Sequence, residues 1–109
     1  MADPPAGRFQ VTAPPAQMDE AWRLADAATV AGKRAEFIRW LKEVRYRLAH
    51  EADEWGEGRG FLPGLKLETR VGVAGGLVVW YAVDPDRRVV FVQRFRMRGD
   101  PGAGVQGGA

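Results

Sequence analysis

The chain has 109 residues, enough for a single domain with a hydrophobic core. It has no cysteine, which excludes disulfides, thiolate metal ligands and thiol catalysis, and a single histidine argues against a zinc site. Sixteen Lys and Arg against fourteen Asp and Glu leave a net charge of +2, too small for overall charge alone to indicate a nucleic-acid partner. We therefore expect no metal and no cofactor.

The sequence also gives expectations for the cellular location of the protein and for the limits of its domain. No apolar run approaches the roughly 18 residues of a membrane span, and the first residues lack the basic start and apolar centre of a signal peptide. We therefore expect a soluble, cytoplasmic protein with no membrane partner. Residues 1–7 lack periodicity and are predicted to be disordered, and the glycine-rich residues 99–109 are predicted to form a flexible tail. Residues 8–98 then form one domain.

The first half of this domain predicts one short strand and two helices. Residues 8–12 (RFQVT) alternate apolar and polar side chains, as a strand does. A helix is predicted to start at Pro14 or Pro15, because apolar residues then recur at spacings of three and four until Gly32. The same spacing continues over about residues 33–54. The glycine between the two runs predicts a helix hairpin whose apolar stripes face a sheet.

The second half predicts a three-stranded antiparallel meander. Residues 65–71, 77–83 and 89–98 are rich in strand-forming residues, and the turn signals AGG and DPDR separate them. The preceding segment WGEGRGFLPG holds four glycines and is predicted to be a loop. The predicted fold is therefore α+β in the order β-α-α-β-β-β, with the helices packed on one face of the sheet.

Pairing these strands through two-residue turns sorts their side chains into two faces. The predicted core face carries Leu65, Leu67, Thr69, Val71, Val78, Trp80, Ala82, Val89, Phe91, Phe95 and Met97. The predicted open face carries Lys66, Glu68, Arg70, Val79, Tyr81, Val83, Val90, Val92, Arg94, Arg96 and Arg98. Glu68 then lies opposite Tyr81, Arg70 opposite Val79, and Arg94 opposite Leu77; an odd-length turn would exchange Tyr81 for Trp80. Basic side chains from separate strands are thus predicted to converge around one phenol and one carboxylate.

Two features of the chain, the order of its elements and three stretches of sequence, carry a resemblance to a known family. The stretches are LPGLKLETR, LVVWYAVD and RRVVFVQRFRMR. In both features the chain resembles the RelE/ParE superfamily of bacterial toxins from type II toxin-antitoxin systems. Some members of that superfamily serve in plasmid stabilisation. The resemblance covers the architecture of roughly residues 8–98 and the motifs of residues 62–98. It implies a toxin that is neutralised by a small antitoxin encoded beside it. Family members either cleave messenger RNA on the ribosome or inhibit DNA gyrase without cleaving RNA, and the sequence leaves both activities open.

The resemblance also suggests roles for individual residues. Lys66 and Arg70 match basic residues on the second strand of the RNA-cleaving branch, and Arg96 or Arg98 matches its basic last strand. Val78 stands where that branch usually has an arginine, and neither histidine nor tyrosine follows Arg98. These two departures argue against RNA cleavage, whereas the basic series Arg94, Arg96 and Arg98 together with Lys66 favours it.

The residues themselves suggest a chemistry for RNA cleavage. Attack by a 2′-hydroxyl requires a base, cations for the phosphate oxygens and an acid for the leaving group. Glu68 is the candidate base, and Tyr81 is a candidate for stacking on a nucleobase or relaying a proton. The candidate phosphate ligands are Arg70, Arg94 and Arg96. The alternatives are an ion pair of Glu68 with a neighbouring cation, an ordinary half-buried Tyr81, and arginines that bind an acidic protein segment or only form a solvated edge whose charge prevents aggregation.

The sequence therefore predicts a toxin-like component of a type II toxin-antitoxin system, with two hypotheses for its activity. In the first, it is a ribosome-dependent endoribonuclease with catalytic Glu68, Arg70, Tyr81 and Arg96, and with Lys66, Arg94 and Arg98 binding RNA or a partner. In the second, it is a non-catalytic, ParE-like protein that binds a target such as DNA gyrase, or only its antitoxin. The expected partners are the cognate antitoxin and either messenger RNA on the ribosome or the gyrase.

Overall fold

The computed structural model describes residues 8–62 and 64–99. In these ranges the chain forms two helices and five strands, which confirms the predicted α+β class. The segment predicted to be disordered (1–7) lies outside the described residues, and so does the predicted tail, Gly99 excepted. A search of the described helices finds no span with the length and apolar character needed to cross a membrane.

The two helices form the predicted hairpin. Helix α1 comprises Pro15–Val30 and helix α2 comprises Arg34–Glu51. Proline at the first helical position costs no hydrogen bond, because that N–H has no partner in a helix. The buried positions of α1 are all alanines, so its backbone lies close to its neighbours, whereas α2 buries larger side chains such as Phe37 and Leu48.

All five strands belong to one mixed sheet, in the spatial order β1-β5-β4-β3-β2. The strands are β1 (Gln10–Thr12), β2 (Glu57–Phe61), β3 (Glu68–Ala74), β4 (Leu77–Asp84) and β5 (Val89–Met97). Strands β3, β4 and β5 are antiparallel neighbours, β2 pairs antiparallel with β3, and β1 pairs in parallel with the start of β5. The predicted β-α-α-β-β-β order is therefore wrong, because it contains four strands and the sheet has five. It missed β2, which lies in the glycine-rich segment predicted to be a loop.

The hairpin between β3 and β4 turns through Gly75 and Gly76, as predicted. Gly75 has φ 59°, and the ring of Trp40 packs against both glycines, so a side chain at either position would collide with it. The register differs from the prediction, since Glu68 lies opposite Val83. Each predicted partner on β4 is displaced by two residues, a shift that leaves every side chain on its predicted face.

Strand β5 contains a bulge that the sequence analysis did not include. Tyr81 lies opposite Val92, but Trp80 lies opposite Arg94, so Gln93 is an extra residue in the ladder. Because side chains alternate along a strand, one extra residue reverses the face of everything that follows it.

This reversal corrects the predicted positions of two arginines. Arg94 was predicted to lie opposite Leu77, on the face of Tyr81. It lies on the face of Trp80 instead, and Arg96 follows it there, opposite Val78.

We name the two faces of the sheet after neighbouring residues of β4. The Tyr81 face carries Glu68, Arg70, Gly72, Ala74, Leu77, Val79, Tyr81, Val83, Val90, Val92, Phe95 and Met97. The Trp80 face carries Thr69, Val71, Val73, Val78, Trp80, Ala82, Asp84, Val89, Phe91, Arg94 and Arg96. The hydrophobic core joins apolar side chains of the Tyr81 face to both helices and contains none from the Trp80 face. The prediction of which face is the core was therefore wrong.

Side chains of α1 close the edge of β5 that the three-residue β1 leaves unpaired. Gln17 Nε2 donates to the carbonyl oxygen of Gln93 at 2.9 Å, and the Phe95 N–H donates to Glu20 Oε1 at 2.7 Å. The second carboxylate oxygen of Glu20 accepts from Arg96. These bonds replace those of a neighbouring strand and protect an edge at which another chain would otherwise pair.

We expect Glu20→Ala to lower the free energy of unfolding by about 1–3 kcal/mol, because it leaves the Phe95 N–H without its acceptor and removes the carboxylate that pairs with Arg96. Urea denaturation measures this change. Asp19→Ala is the matched control, since Asp19 is an exposed carboxylate in the same turn of α1, and it should change stability by less than about 0.5 kcal/mol. Equal effects of the two substitutions would contradict the role assigned to Glu20.

Candidate functional site

Three of the predicted catalytic residues do lie together, on the Tyr81 face near the end of α2. Arg70 Nη1 donates to Glu68 Oε2 at 2.8 Å, and Arg70 lies directly opposite Tyr81 in the sheet. Their other polar neighbours are backbone carbonyls of the segment that follows α2. The contacts of each residue therefore decide what this cluster can do.

Tyr81 is fully buried. Its hydroxyl lies 3.0 Å from the carbonyl oxygen of Ala52 and 2.6 Å from that of Trp55, the acceptors available to it. Its ring stacks on the Trp55 ring, with the centroids 5.9 Å apart, and Trp55 in turn covers Gly72. Neither the ring nor the hydroxyl is accessible to a nucleobase. Tyr81 therefore does not stack on a nucleobase in this structure, contrary to the prediction.

Burial raises the pKa of Tyr81 to about 12, although the nearby Arg70 guanidinium acts in the opposite direction. Burial favours the neutral phenol because the phenolate would lose its hydration. At neutral pH the hydroxyl is therefore protonated and shares its single hydrogen between two backbone carbonyls, which is a structural role.

Arg70 directs its guanidinium at acceptors within the protein. Nε donates to the Trp55 carbonyl at 2.8 Å, Nη2 donates to the Gly56 carbonyl at 3.0 Å, and Nη1 binds Glu68. Only 12% of the side chain is exposed. A phosphate ligand needs the fork of donors to be free, whereas here the fork binds backbone carbonyls of the loop that follows α2.

Glu68 accepts its hydrogen bond from Arg70 and packs beside Gly58 of β2. This is the ion pair that we considered as the alternative to a general base. The three residues thus form one clasp, defined by Glu68, Arg70 and Tyr81, which fixes the segment after α2 to the sheet.

The remaining predicted site residues lie elsewhere. Arg94 places its guanidinium 5.0 Å from the centre of the Trp80 ring, on the other side of the sheet from the clasp. Arg96 turns to Glu20. The predicted convergence of cations from separate strands is therefore wrong, because the bulge separates Arg70 from Arg94 and Arg96 by the thickness of the sheet.

Lys66 and Arg98 are exposed and lie outside the strands. Lys66 lines a shallow cavity of about 380 Å³ that also contains Asp84 and Arg87. Arg98 follows β5, and its N–H donates to the Gly76 carbonyl at 2.7 Å. Neither residue approaches the clasp through a described contact, so their predicted binding roles stay predictions.

The Trp80 face combines apolar and cationic groups. Phe91 is 38% exposed, and Trp80 is half-buried beneath Arg94. Within β3, β4 and β5 its one acidic residue is Asp84, whose carboxylate accepts two backbone N–H groups of the following turn. The centre of this face therefore offers contact area and positive charge without a group suited to general acid–base chemistry.

A second surface was not predicted. The helix groove, as we name it, lies between α1 and α2, has a volume of about 870 Å³ and is lined by Phe9, Val11, Ala13, Met18, Ala21, Trp22, Leu41, Lys42, Val44, Arg45, Tyr46, Leu48, Ala49, His50, Val92 and Phe95. Met18 and Trp22 are the sequence features that could have indicated this groove, because they are large apolar residues on a helix that buries only alanines.

No family model matches the chain, and neither a curated protein nor a solved structure matches it. The resemblance to the RelE/ParE superfamily therefore rests on the motifs quoted above and stays a prediction.

We expect Arg70→Ala to destabilise the protein by about 2–3 kcal/mol, because it leaves the Gly56 carbonyl and the Glu68 carboxylate without their donor and removes one of the two donors to the Trp55 carbonyl. Arg70→Lys should restore only part of this loss, since an ammonium does not reproduce the planar fork. Chemical denaturation measures both changes. Arg87→Ala is the control, because that side chain is 84% exposed. An Arg70→Ala variant as stable as this control would contradict the clasp.

The pKa of Tyr81 predicts a loss of stability in alkali. An unfolded tyrosine releases its proton near pH 10, whereas folded Tyr81 holds it until about pH 12. The folded state therefore binds the proton more tightly. This contribution is complete below pH 10 and is lost as the pH rises through 12, with a magnitude on the order of 2 kcal/mol.

Tyr81→Phe should remove this alkaline dependence, because phenylalanine does not ionise. Denaturant unfolding at several values between pH 8 and pH 12 measures the difference. Tyr46→Phe is the control, since Tyr46 is 56% exposed. The same slope in the wild type and in Tyr81→Phe would show that Tyr81 does not carry the effect.

Proposed function

We propose that this protein is a toxin-like component of a type II toxin-antitoxin system that acts by binding a protein target in the cytoplasm and does not cleave RNA. The proposal combines the RelE/ParE resemblance with one structural observation that carries the choice of activity. Tyr81, the candidate proton relay, lies buried with its hydroxyl on two backbone carbonyls.

The observation favours binding because the candidate acid–base groups are engaged in contacts within the protein. Glu68 and Arg70 are occupied in the same clasp as Tyr81. Arg96, the fourth predicted catalytic residue, pairs with Glu20 at the edge of β5, away from the clasp. Cleavage would require these groups around one phosphate, since each must reach the reacting atoms within hydrogen-bond distance. Val78, in place of an arginine, supports the same choice.

In this proposal α1 and α2 cover only the Tyr81 face, and the Trp80 face is the surface that binds the target. Its partly exposed aromatic groups beside an arginine have the composition of energetically important positions in protein interfaces. Arg94 over Trp80 keeps a cation at the centre of the face. A target with apolar and acidic groups, such as a surface of DNA gyrase, suits this chemistry. The cognate antitoxin is the second expected partner.

Controlled expression of the full chain in bacteria tests the proposal, with growth, messenger RNA ends and plasmid supercoiling measured in the same culture. We expect growth to stop with altered supercoiling and without new RNA ends. Arg94→Glu should restore survival by about tenfold or more, because it reverses the charge on the proposed target surface. Arg39→Glu is the matched control, an exposed arginine of α2 outside the Trp80 face, and it should remain toxic.

Two outcomes would reject the proposal. Codon-phased cuts in messenger RNA, lost in a folded Arg96→Ala variant, would assign RNA cleavage instead. Normal growth of cells that accumulate the folded protein would remove the toxin role altogether. Co-expression of a short acidic protein encoded beside this gene should restore growth if it is the antitoxin.

A further inference from the structure

The helix groove has a floor of core residues and a rim of exposed aromatic ones. The floor includes Leu48, Val92 and Phe95, which are at most 5% exposed. The rim includes Trp22 of α1 and Tyr46 of α2, which are 60% and 56% exposed. Sites for small molecules are concave, lie between helices in many proteins and enclose roughly 300–1,000 Å³. The helix groove, at about 870 Å³, has both the place in the fold and the size of such a site.

The polar side chains of the groove all belong to one wall. They are the following residues of α2: Lys42, Arg45, Tyr46 and His50. Every other lining residue is apolar, and so the opposite wall, on α1, is apolar throughout. A few polar groups in an otherwise apolar site fix the orientation of a ligand. The groove therefore suits a molecule with an apolar body and a single polar end.

The cations of this wall are available to a ligand. Lys42 and Arg45 are three residues apart on α2 and therefore neighbours on its surface. Neither belongs to an ion pair in the part of the chain that the structure describes, whereas Arg47 binds Glu43 and Glu51. No aspartate or glutamate is among the lining residues. The polar end of a ligand in this groove should therefore be an anion.

The helix hairpin places these cations near one end of the groove. Trp22 and Lys42 are each ten residues from Gly32, the turn between the two helices, so they lie at about the same level on opposite walls. The α2 wall, residues 41–50, is about 14 Å long at 1.5 Å per residue. An extended alkyl chain advances about 1.3 Å per carbon. A chain of about ten carbons with its anionic end at Lys42 and Arg45 therefore spans the groove.

We propose that the helix groove binds a fatty acid, an unbranched alkyl carboxylate, with the carboxylate at Lys42 and Arg45 and the chain along the apolar floor. Trp22 then contacts the chain close to its carboxylate. This inference stands whether or not the protein acts as a toxin, because it depends on the groove alone and involves neither the clasp nor the Trp80 face.

Three ligands that share one alkyl chain and differ in the charge of their polar end test the inference: decanoate, decanol and decylammonium. Titration calorimetry with the full chain measures their affinities at concentrations at which none of them forms micelles. We expect decanoate to bind saturably with a Kd below about 1 mM, and at least about tenfold more tightly than decylammonium, with decanol between them. The preference for decanoate should weaken with salt, because it depends on charge.

Charge reversal in the groove provides the discriminating variant. In the Lys42→Glu, Arg45→Glu protein the order of affinities should reverse, so that decylammonium binds more tightly than decanoate. Lys33→Glu, Arg39→Glu is the matched control, because it makes the same charge change in and beside α2 outside the groove lining, and it should keep the original order. Circular dichroism and thermal unfolding verify that each variant folds.

Quenching of tryptophan fluorescence locates the bound chain. Bromine quenches an indole ring that it contacts, and α-bromodecanoate carries its bromine beside the carboxylate. We expect this ligand to quench the wild type, and Trp22→Phe to remove most of the quenching. Trp80→Phe is the control, because Trp80 lies outside the groove lining, and it should keep the quenching. A bromine at the far end of the chain, in ω-bromodecanoate, should quench Trp22 less.

Four results would overturn the inference: no saturable binding of decanoate up to about 1 mM, equal binding of the three ligands, an order of affinities that charge reversal leaves unchanged, or quenching that persists in Trp22→Phe. A different occupant would overturn it as well. A wild-type dimer that Trp22→Glu dissociates in sedimentation experiments, and that decanoate leaves intact, would assign the groove to a second copy of the chain.

Discussion

One carbonyl group connects the two layers of this protein. The Trp55 oxygen accepts hydrogen bonds from the Tyr81 hydroxyl at 2.6 Å and from Arg70 Nε at 2.8 Å. Trp55 lies in the loop after α2, where its carbonyl has no place in a helix or strand ladder, and a buried carbonyl without a donor is costly. Because Arg70 and Tyr81 face each other across β3 and β4, they hold the segment after α2 on their own side of the sheet. This attachment fixes the loop after α2 to the Tyr81 face, on which the core cluster lies.

Much of the fold was predictable because its signals are local. The spacing of apolar residues predicted α1 and α2, and the turn at Gly75 and Gly76 predicted the β3–β4 hairpin. The covered face was not predictable, since β4 (LVVWYAVD) is apolar on both sides and alternation then carries no direction. The bulge at Gln93 also has no local marker, because a polar residue between valine and arginine suits a regular strand equally well.

The candidate site shows a similar division between local and tertiary information. The prediction correctly grouped Glu68, Arg70 and Tyr81 on one face. It treated that face as solvated because charged residues on a strand usually face water. The acceptors that make their burial favourable belong to a segment 15 or more residues earlier in the chain, the carbonyls of Trp55 and Ala52. Such a contact leaves no pattern in β3 or β4 themselves, so the same residues suited a catalytic and a structural role equally.

The parallel pairing of β1 with β5 determines when the first strand can join the sheet as the chain folds during synthesis. Val11 pairs with Val90, so the first strand finds its neighbour only when nearly the whole domain has left the ribosome. The β3–β4 hairpin closes through a two-residue turn and has no such delay. During synthesis the helices therefore meet a sheet that still lacks Val90, Val92 and Phe95 from its core. A nascent chain halted before β5 exposes that unfinished interior, and the last strand to emerge completes the domain.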